Sequence, residues 1–250
     1  MTPHPELALP LPVTALREYR PEEEANQQSV LGPLSDLFAQ MAARPLEQGT
    51  LSFEEVHAAG AWDEVKRFRL EQYRKALPYM LDELGPDGSD DIDARSCTFA
   101  ARWNGRVVAT IRLTPHPFET SRYVPEDVVA GFLGSRWRAD YLEWSRLLVD
   151  REAPVRGLAS STIVFAGLRV LSSTPFHRVF GYATPEVLRV YGKFPVATHP
   201  ESFSIPRRGP QRYLLLKSDL LEALDRWTSR MKPPPTMRTQ HVSNHQPVVS

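Results

Sequence analysis

The segment YLEWSRLLVD, residues 141–150, puts a carboxylate, a hydroxyl and a guanidinium into an otherwise apolar run. Read as a strand, it turns Glu143 and Ser145 to one face and Trp144 and Arg146 to the other. A carboxylate beside a hydroxyl can do proton-transfer chemistry. Glu143 would accept a proton, directly or through a water, and Ser145 would orient the reacting group. The plainer alternative is a structural ion pair of Glu143 with Arg112 or Arg146. Tyr191 is a candidate general acid for a leaving group, or else a core tyrosine on a short helix. Gly157 opens an apolar helix, and the free N–H groups of a helix start can hold an anion. Arg151 and Arg156 would add positive charge there; the alternative is an ordinary turn glycine.

These residues need elements to hold them. Residues 21–43 read as a helix with the acidic start PEEE, and 61–84 as a second helix that Pro78 breaks. A turn at 85–91 leads to strands at 96–103 and 106–114. Asn104-Gly105 between them is the preferred pair for a tight hairpin. A helix at 125–133, a strand at 140–149, a helix at 158–171 and a strand at 178–184 follow. A helix over 185–194 has Pro185 as its first residue. A strand at 211–217 and a helix at 218–231, capped by Ser218, close the chain. The pattern predicts an α/β (α+β) single domain: a mixed, largely antiparallel sheet flanked by helices. Residues 1–14, with four prolines, read as a flexible arm, 15–231 as the domain, and 232–250 as a disordered tail.

Lys and Arg together number 30, as do Asp and Glu, so no bulk charge draws the chain to nucleic acid. The single Cys97 excludes an internal disulfide and a cysteine zinc site. No apolar run is long enough to span a bilayer, and MTPHPELALPLPV lacks a basic signal-peptide start. The expectation is a cytoplasmic protein. The histidines show no metal-ligand spacing, so no metal is expected. Neither a Gly-x-Ser-x-Gly elbow nor a Walker loop is present.

Three stretches carry a resemblance: DDIDARSCTFAARWNGRVVATIRLTP (90–115), EWSR (143–146) and EVLRVYGKFPV (186–196). In this order they resemble the GNAT acyltransferase fold, in its autoinducer (acyl-homoserine-lactone) synthase and N-acyl amino acid synthase branch. The resemblance covers about residues 61–217. It implies transfer of a fatty acyl group from a carrier-protein or coenzyme A thioester to an amine by direct attack, without a covalent acyl-enzyme. Glu143 would be the base, Ser145 its neighbour at the amine, and Tyr191 the acid for the thiolate. Leu148, Val149, Arg151, Arg156, Gly157, Ala159 and Ser160 would bind the acyl donor. Arg112 and Arg146 would support the acceptor site or its acidic residues; the alternative is buried structural guanidinium groups. No tightly bound cofactor is implied; acyl-phosphopantetheine is a co-substrate.

The sequence also departs from that family. Its phosphate-binding pattern begins with Gln or Arg where Pro154 stands here, and Arg156 is displaced beside Gly157. Arg69 and Tyr73 match the N-terminal signature of autoinducer synthases only loosely. The expected acceptor is therefore an amino acid or a peptide side chain. A synthase using S-adenosylmethionine and a non-catalytic module that binds acyl carrier protein are the alternatives. Phe99, Trp103, Phe118, Phe132, Trp137 and Trp144 would line an acyl pocket or simply fill the core. Asp90, Asp91 and Asp93 match the family's acidic segment, with a solvated turn as the simpler account.

Overall fold

The computed structural model describes residues 43–46 and 49–231, together with Pro12. Almost all of the helix expected at 21–43, the arm at 1–14 and the tail at 232–250 therefore lie outside the described residues. Eight strands are described: β1 (Ala43–Leu46), β2 (Gly49–Glu55), β3 (Cys97–Trp103), β4 (Arg106–Thr114), β5 (Tyr141–Val149), β6 (Arg178–Ala183), β7 (Ala197–Ser204) and β8 (Arg212–Asp219). The helices are α1 (Ala59–Ala76), α2 (Glu126–Leu133), α3 (Trp137–Asp140), α4 (Leu158–Ser173), α5 (Leu188–Tyr191) and α6 (Leu220–Met231). The strands form one sheet in the order β1-β2-β3-β4-β5-β6-β8-β7. Every neighbouring pair is antiparallel except β5 with β6.

Local chemistry explains much of this. Asn104 and Gly105 have φ of 49° and 82°. Both positions of the β3–β4 turn are thus left-handed, which Asn-Gly tolerates best. The long helix ends at Ala76, and Pro78 starts a short 3-10 helix through Glu83. Both faces of β3 and β4 are buried. Phe99, Val108 and Ile111 belong to the core cluster that includes residues of α4 and α6, while Ala100 and Val107 belong to the cluster with α1. Phe53 stacks on Phe165 of α4 at 5.3 Å.

Several elements differ from the sequence reading. β1, β2 and β7 are not expected from it. β7 contains Pro200, is mostly exposed, and pairs only with β8, as an edge strand with proline can. The helix expected at 185–194 is confined to Leu188–Tyr191, and Pro185 lies in the turn before it. Ser218 is not the cap of α6. Its Oγ donates to the carbonyl of Pro195, and Asp219 Oδ1 accepts from the N–H groups of Leu221 and Glu222.

The feature that matters most is a fork. β5 and β6 pair only at 141–143 with 178–180. Beyond that point they part, and among the described residues no strand pairs with the β6-facing edge of β5 from Trp144 onward. At the same place Arg146 adopts φ of 53°, and the β4–β5 register shifts between Thr110 and Arg112. A bulge of this kind re-aims side chains.

Candidate active site

Below the fork lies a buried set of charges. Arg112 is fully buried on β4. Its Nε donates to Ser145 Oγ (3.0 Å), its Nη1 to Asp90 (2.6 Å) and Asp93 (3.0 Å), and its Nη2 to Glu119 (2.7 Å). Arg69 of α1 donates to both oxygens of Asp93 at 2.8 Å. Arg146 donates to Asp90 at 2.7 Å and lies 3.4 Å from Glu119. Arg208, after β7, donates to Glu83 (2.6 Å) and to the Tyr182 hydroxyl (3.0 Å). Four guanidinium groups thus interleave with four carboxylates. Charges removed from water this far persist only when paired and hydrogen-bonded. Arg69 is the least well served: its Nε and Nη2 are buried without a partner, and its guanidinium faces the Trp62 ring at 4.9 Å.

Asp90 and Asp93 are therefore not a solvated turn. Their side chains are 4% and 3% exposed. Burial works against ionisation of Asp90, but Arg112 and then Arg146 hold its carboxyl well below the ordinary range. Asp91 alone of the three is exposed, paired with Arg122.

Glu143 is fully buried and makes neither of the ion pairs expected for it. Its carboxylate accepts from the backbone N–H groups of Glu119 and Thr120 and from the Thr120 hydroxyl. Desolvation, then the nearby charge of Glu119, raises its pKa to about 7, against the pull of the Thr120 hydroxyl. Arg146 does not point away from Ser145 as simple alternation requires. The left-handed backbone at 146 turns it into the same network, and Thr110 Oγ1 donates to its carbonyl.

A cleft of about 260 Å³ opens at the fork. Trp144, Ser145, Arg146 and Leu148 of β5 line one side, Tyr182, Ala183 and Tyr191 another. Tyr73, Tyr79, Arg208 and Tyr213 line it as well. Tyr191 stacks on Trp144 at 5.1 Å, and burial pushes its phenol up so that it stays protonated. A wider groove of about 490 Å³ runs along Glu64, Arg67 and Glu71 of α1, away from the network.

The expected site residues fall into three groups. Ser145, Arg146, Leu148 and Tyr191 line the cleft. Arg112 and Glu143 lie buried under it. Gly157, Arg151 and Arg156 are exposed at the start of α4, with Ala159 half-buried and Ser160 buried there; Val149 packs against the core. Gly157 has φ of 72°, and nothing lies within 4 Å of where its Cβ would stand. Of the six aromatics, Phe99, Phe118 and Trp137 are core, Trp103 and Phe132 pack partly buried against it, and Trp144 lines the cleft. The sequence reading misses Glu83, Glu119, Tyr182 and Arg208. Glu119 accepts from Arg112 and Tyr182 and lies within 3.5 Å of Arg146 and Arg208, yet no motif marks it. Among the described residues no cluster of three or more His, Cys, Asp or Glu could hold a metal ion. No helix described is long and apolar enough to cross a membrane.

No family model matches the chain, and no curated protein does. Solved structures do. A CoA-dependent acyl-homoserine lactone synthase, BjaI, bound to SAM and isopentyl-CoA, is similar with a TM-score of 0.56 and 21% identity, over 69% of this chain and 82% of that one. The AHL synthase LasI gives 0.55 at 12% identity, over 69% and 91%. MesI, another CoA-dependent acyl-homoserine lactone synthase, gives 0.53 at 18%, over 70% and 89%. With a mixed, mostly antiparallel sheet that forks at its one parallel pair, the chain has the GNAT-like fold of the acyl-homoserine lactone synthases.

Proposed function

We propose that the chain is an N-acyltransferase that moves an acyl group from a carrier-protein or coenzyme A thioester to an amine by direct attack. The observation that carries this reading is the fork, where an unpaired strand edge, Ser145 and Tyr191 face one cleft above a rigid charge network. Backbone N–H groups on the free β5 edge are suited to meet the developing oxyanion. Ser145 Oγ accepts from Arg112, which leaves its own hydrogen for the acceptor or a water. Tyr191, kept protonated by burial, is suited to protonate the leaving thiolate.

Glu143 has no face on the cleft. Proton acceptance by it runs through an intervening hydroxyl or water, and Thr120 is the hydroxyl in contact, donating at 2.5 Å. A carboxyl with a pKa of about 7 can hold and release a proton at neutral pH. The phosphate of the donor's pantetheine arm fits the start of α4. No side chain caps its first N–H groups, and Gly157 leaves space above them.

A second reading concerns the acceptor. Tyr73, Tyr79 and Tyr213 line the cleft, and tyrosine rings can hold a cation, as Tyr213 holds the Arg208 guanidinium. BjaI binds SAM, and a sulfonium acceptor would suit such a wall.

The test supplies the full-length protein with acyl-CoA and acyl-carrier-protein thioesters and, separately, amino acids, peptides bearing lysine, and S-adenosylmethionine. Free thiol is measured together with the intact mass of each product. Amine-dependent thiol release is expected, and the acceptor that supports it decides between the two readings. No release with any pair would overturn both in favour of a binding module.

A further inference from the structure

Arg146 and Arg208 both line the cleft, and both meet Glu83. Arg208 donates to the two oxygens of Glu83, from Nε at 2.6 Å and from Nη2 at 2.5 Å. Arg146 Nη1 lies 3.7 Å from the same carboxylate. A planar guanidinium donating twice to a planar carboxylate is how arginine recognises a free carboxylate group.

Arg208 does not depend on Glu83 for its place. The loop after β7 exposes Arg207 and Gly209, both left-handed with φ of 70° and 72°, and buries Arg208 between them. Arg208 Nη1 donates to the Tyr182 hydroxyl, and Nη2 lies 3.5 Å from Glu119. The guanidinium also lies over the rings of Tyr123 and Tyr213. Glu83, by contrast, is the most loosely held carboxylate of the network. It is the last residue of the 3-10 helix Pro78–Glu83, and its side chain is 20% exposed. The side chains of Asp90, Asp93 and Glu119 are 4%, 3% and 2% exposed, and each accepts from at least two other residues. Among the described residues Glu83 accepts hydrogen bonds from Arg208 alone.

We infer that Glu83 fills a carboxylate site in the cleft and thereby selects the acceptor: an amine with no free carboxylate beside it, such as a lysine side chain within a peptide, rather than a free amino acid. This rests on the acyl-transfer reading and names its acceptor class. A tethered carboxylate acts at an effective concentration of about millimolar or more. A dissolved amino acid must displace it, or bring a second carboxylate beside Glu83 and Glu119. There the Arg208 fork is already engaged and like charges repel. A neutral amide in the same place meets neither cost.

The experiment compares full-length wild type, Glu83→Ala and Glu83→Gln on two matched acceptor pairs, phenylalanine with phenylalaninamide and alanine with alaninamide, together with thermal melts. The acid-to-amide ratio of kcat/KM within one form includes the difference in amine basicity, but its change between forms does not. Glu83→Ala should raise that ratio roughly tenfold to a hundredfold, the worth of hydrogen bonds to a charged group. Glu83→Gln keeps one accepting oxygen and should raise it less. Adding Arg208→Lys to Glu83→Ala keeps the charge but removes the fork, and the gain should disappear; a gain that survives overturns the assignment to Arg208. Calorimetric binding of the same pairs gives a readout independent of turnover, in which Glu83→Ala should gain affinity for the acids relative to the amides. An unchanged ratio in a folded, active Glu83→Ala overturns the inference and leaves the transferase reading standing. If no form turns over, that reading fails; acid binding gained by Glu83→Ala would still support the filled carboxylate site, and equal or absent binding would overturn it. If neither single variant melts cooperatively, Glu83 is a structural ion of the network, which also overturns the inference.

Discussion

Beneath the cleft, Arg112 spends its guanidinium on four partners: Ser145, Asp90, Asp93 and Glu119. At the start of α4, Gly157 and Arg156 stand exposed, and no side chain caps the helix. The first region is preorganised: its charges are fixed before any substrate arrives, so nothing reorganises when charge develops above them. The second is left open, as a helix start awaiting an anion must be. A change in the first region should therefore be felt in stability and turnover together. A change in the second should be felt in donor binding alone.

The sharpest way to break this contrast is Arg112→Leu. It leaves Asp90, Asp93 and Glu119 buried without their shared cation. The expected cost is about 3–5 kcal/mol of stability, read from denaturant unfolding. A loss of well under 1 kcal/mol would mean that the network is not preorganised by Arg112.

Glu143→Gln comes next. Its amide nitrogen would meet a backbone N–H of Glu119 or Thr120 where an oxygen now accepts, so some stability is lost. If Glu143 receives the amine's proton, turnover should also fall by roughly 10²–10⁴ in the fraction that stays folded. Wild-type kcat should rise through a limb near pH 7, and the variant should lack that limb. The stability of wild type has its own signature. The folded Glu143 keeps its proton between the ordinary glutamate value of 4.5 and about 7, whereas the unfolded carboxyl has already lost it. Stability from this group therefore declines as pH rises across that window, and Glu143→Gln should remove the decline. Activity that tracks only the folded fraction, with the limb retained, would assign Glu143 to holding the 119–120 turn.

Tyr191→Phe should lower turnover by roughly tenfold, at the weak end of acid catalysis because a thiolate leaves readily. Its KM for donor should change little, since the ring that stacks on Trp144 is kept. An unchanged kcat would make Tyr191 a packing residue. The smallest effect belongs to Gly157→Val. A β-branched residue is strained at φ of 72°, and its side chain would rise over the open N–H groups. Donor KM should rise roughly fivefold to tenfold with kcat nearly constant. A change in kcat instead would show that the two regions are not separable.

The parts of this molecule legible in its sequence are those with local causes. Asn104-Gly105 specifies its hairpin because both residues accept positive φ, whatever surrounds them. Pro78 ends α1 because a proline cannot continue it. The strand at Tyr141–Val149 and the helix from Leu158 follow from apolar pattern alone. The edge strand β7 is not legible, because Pro200 and exposed polar residues argue against a strand until β8 lies beside them. Asp90 and Asp93 look like a solvated turn for a related reason: their cations come from α1, β4 and β5, far away in the chain.

The sequence by itself determined the mixed helix-and-strand order, the tight hairpin, and the identities of Glu143, Ser145, Tyr191 and Gly157 as groups able to do chemistry, since each follows from residue type and short-range spacing. Only the tertiary structure decided which way they face. A bulge at Arg146 overrides strand alternation, Glu119 arrives from an irregular segment to raise the proton affinity of Glu143, and the parting of β5 from β6 makes the cleft that receives Ser145 and Tyr191 but not Glu143. The reason is physical. Burial and charge pairing are long-range quantities set by what the fold brings together, and no window of neighbouring residues contains them.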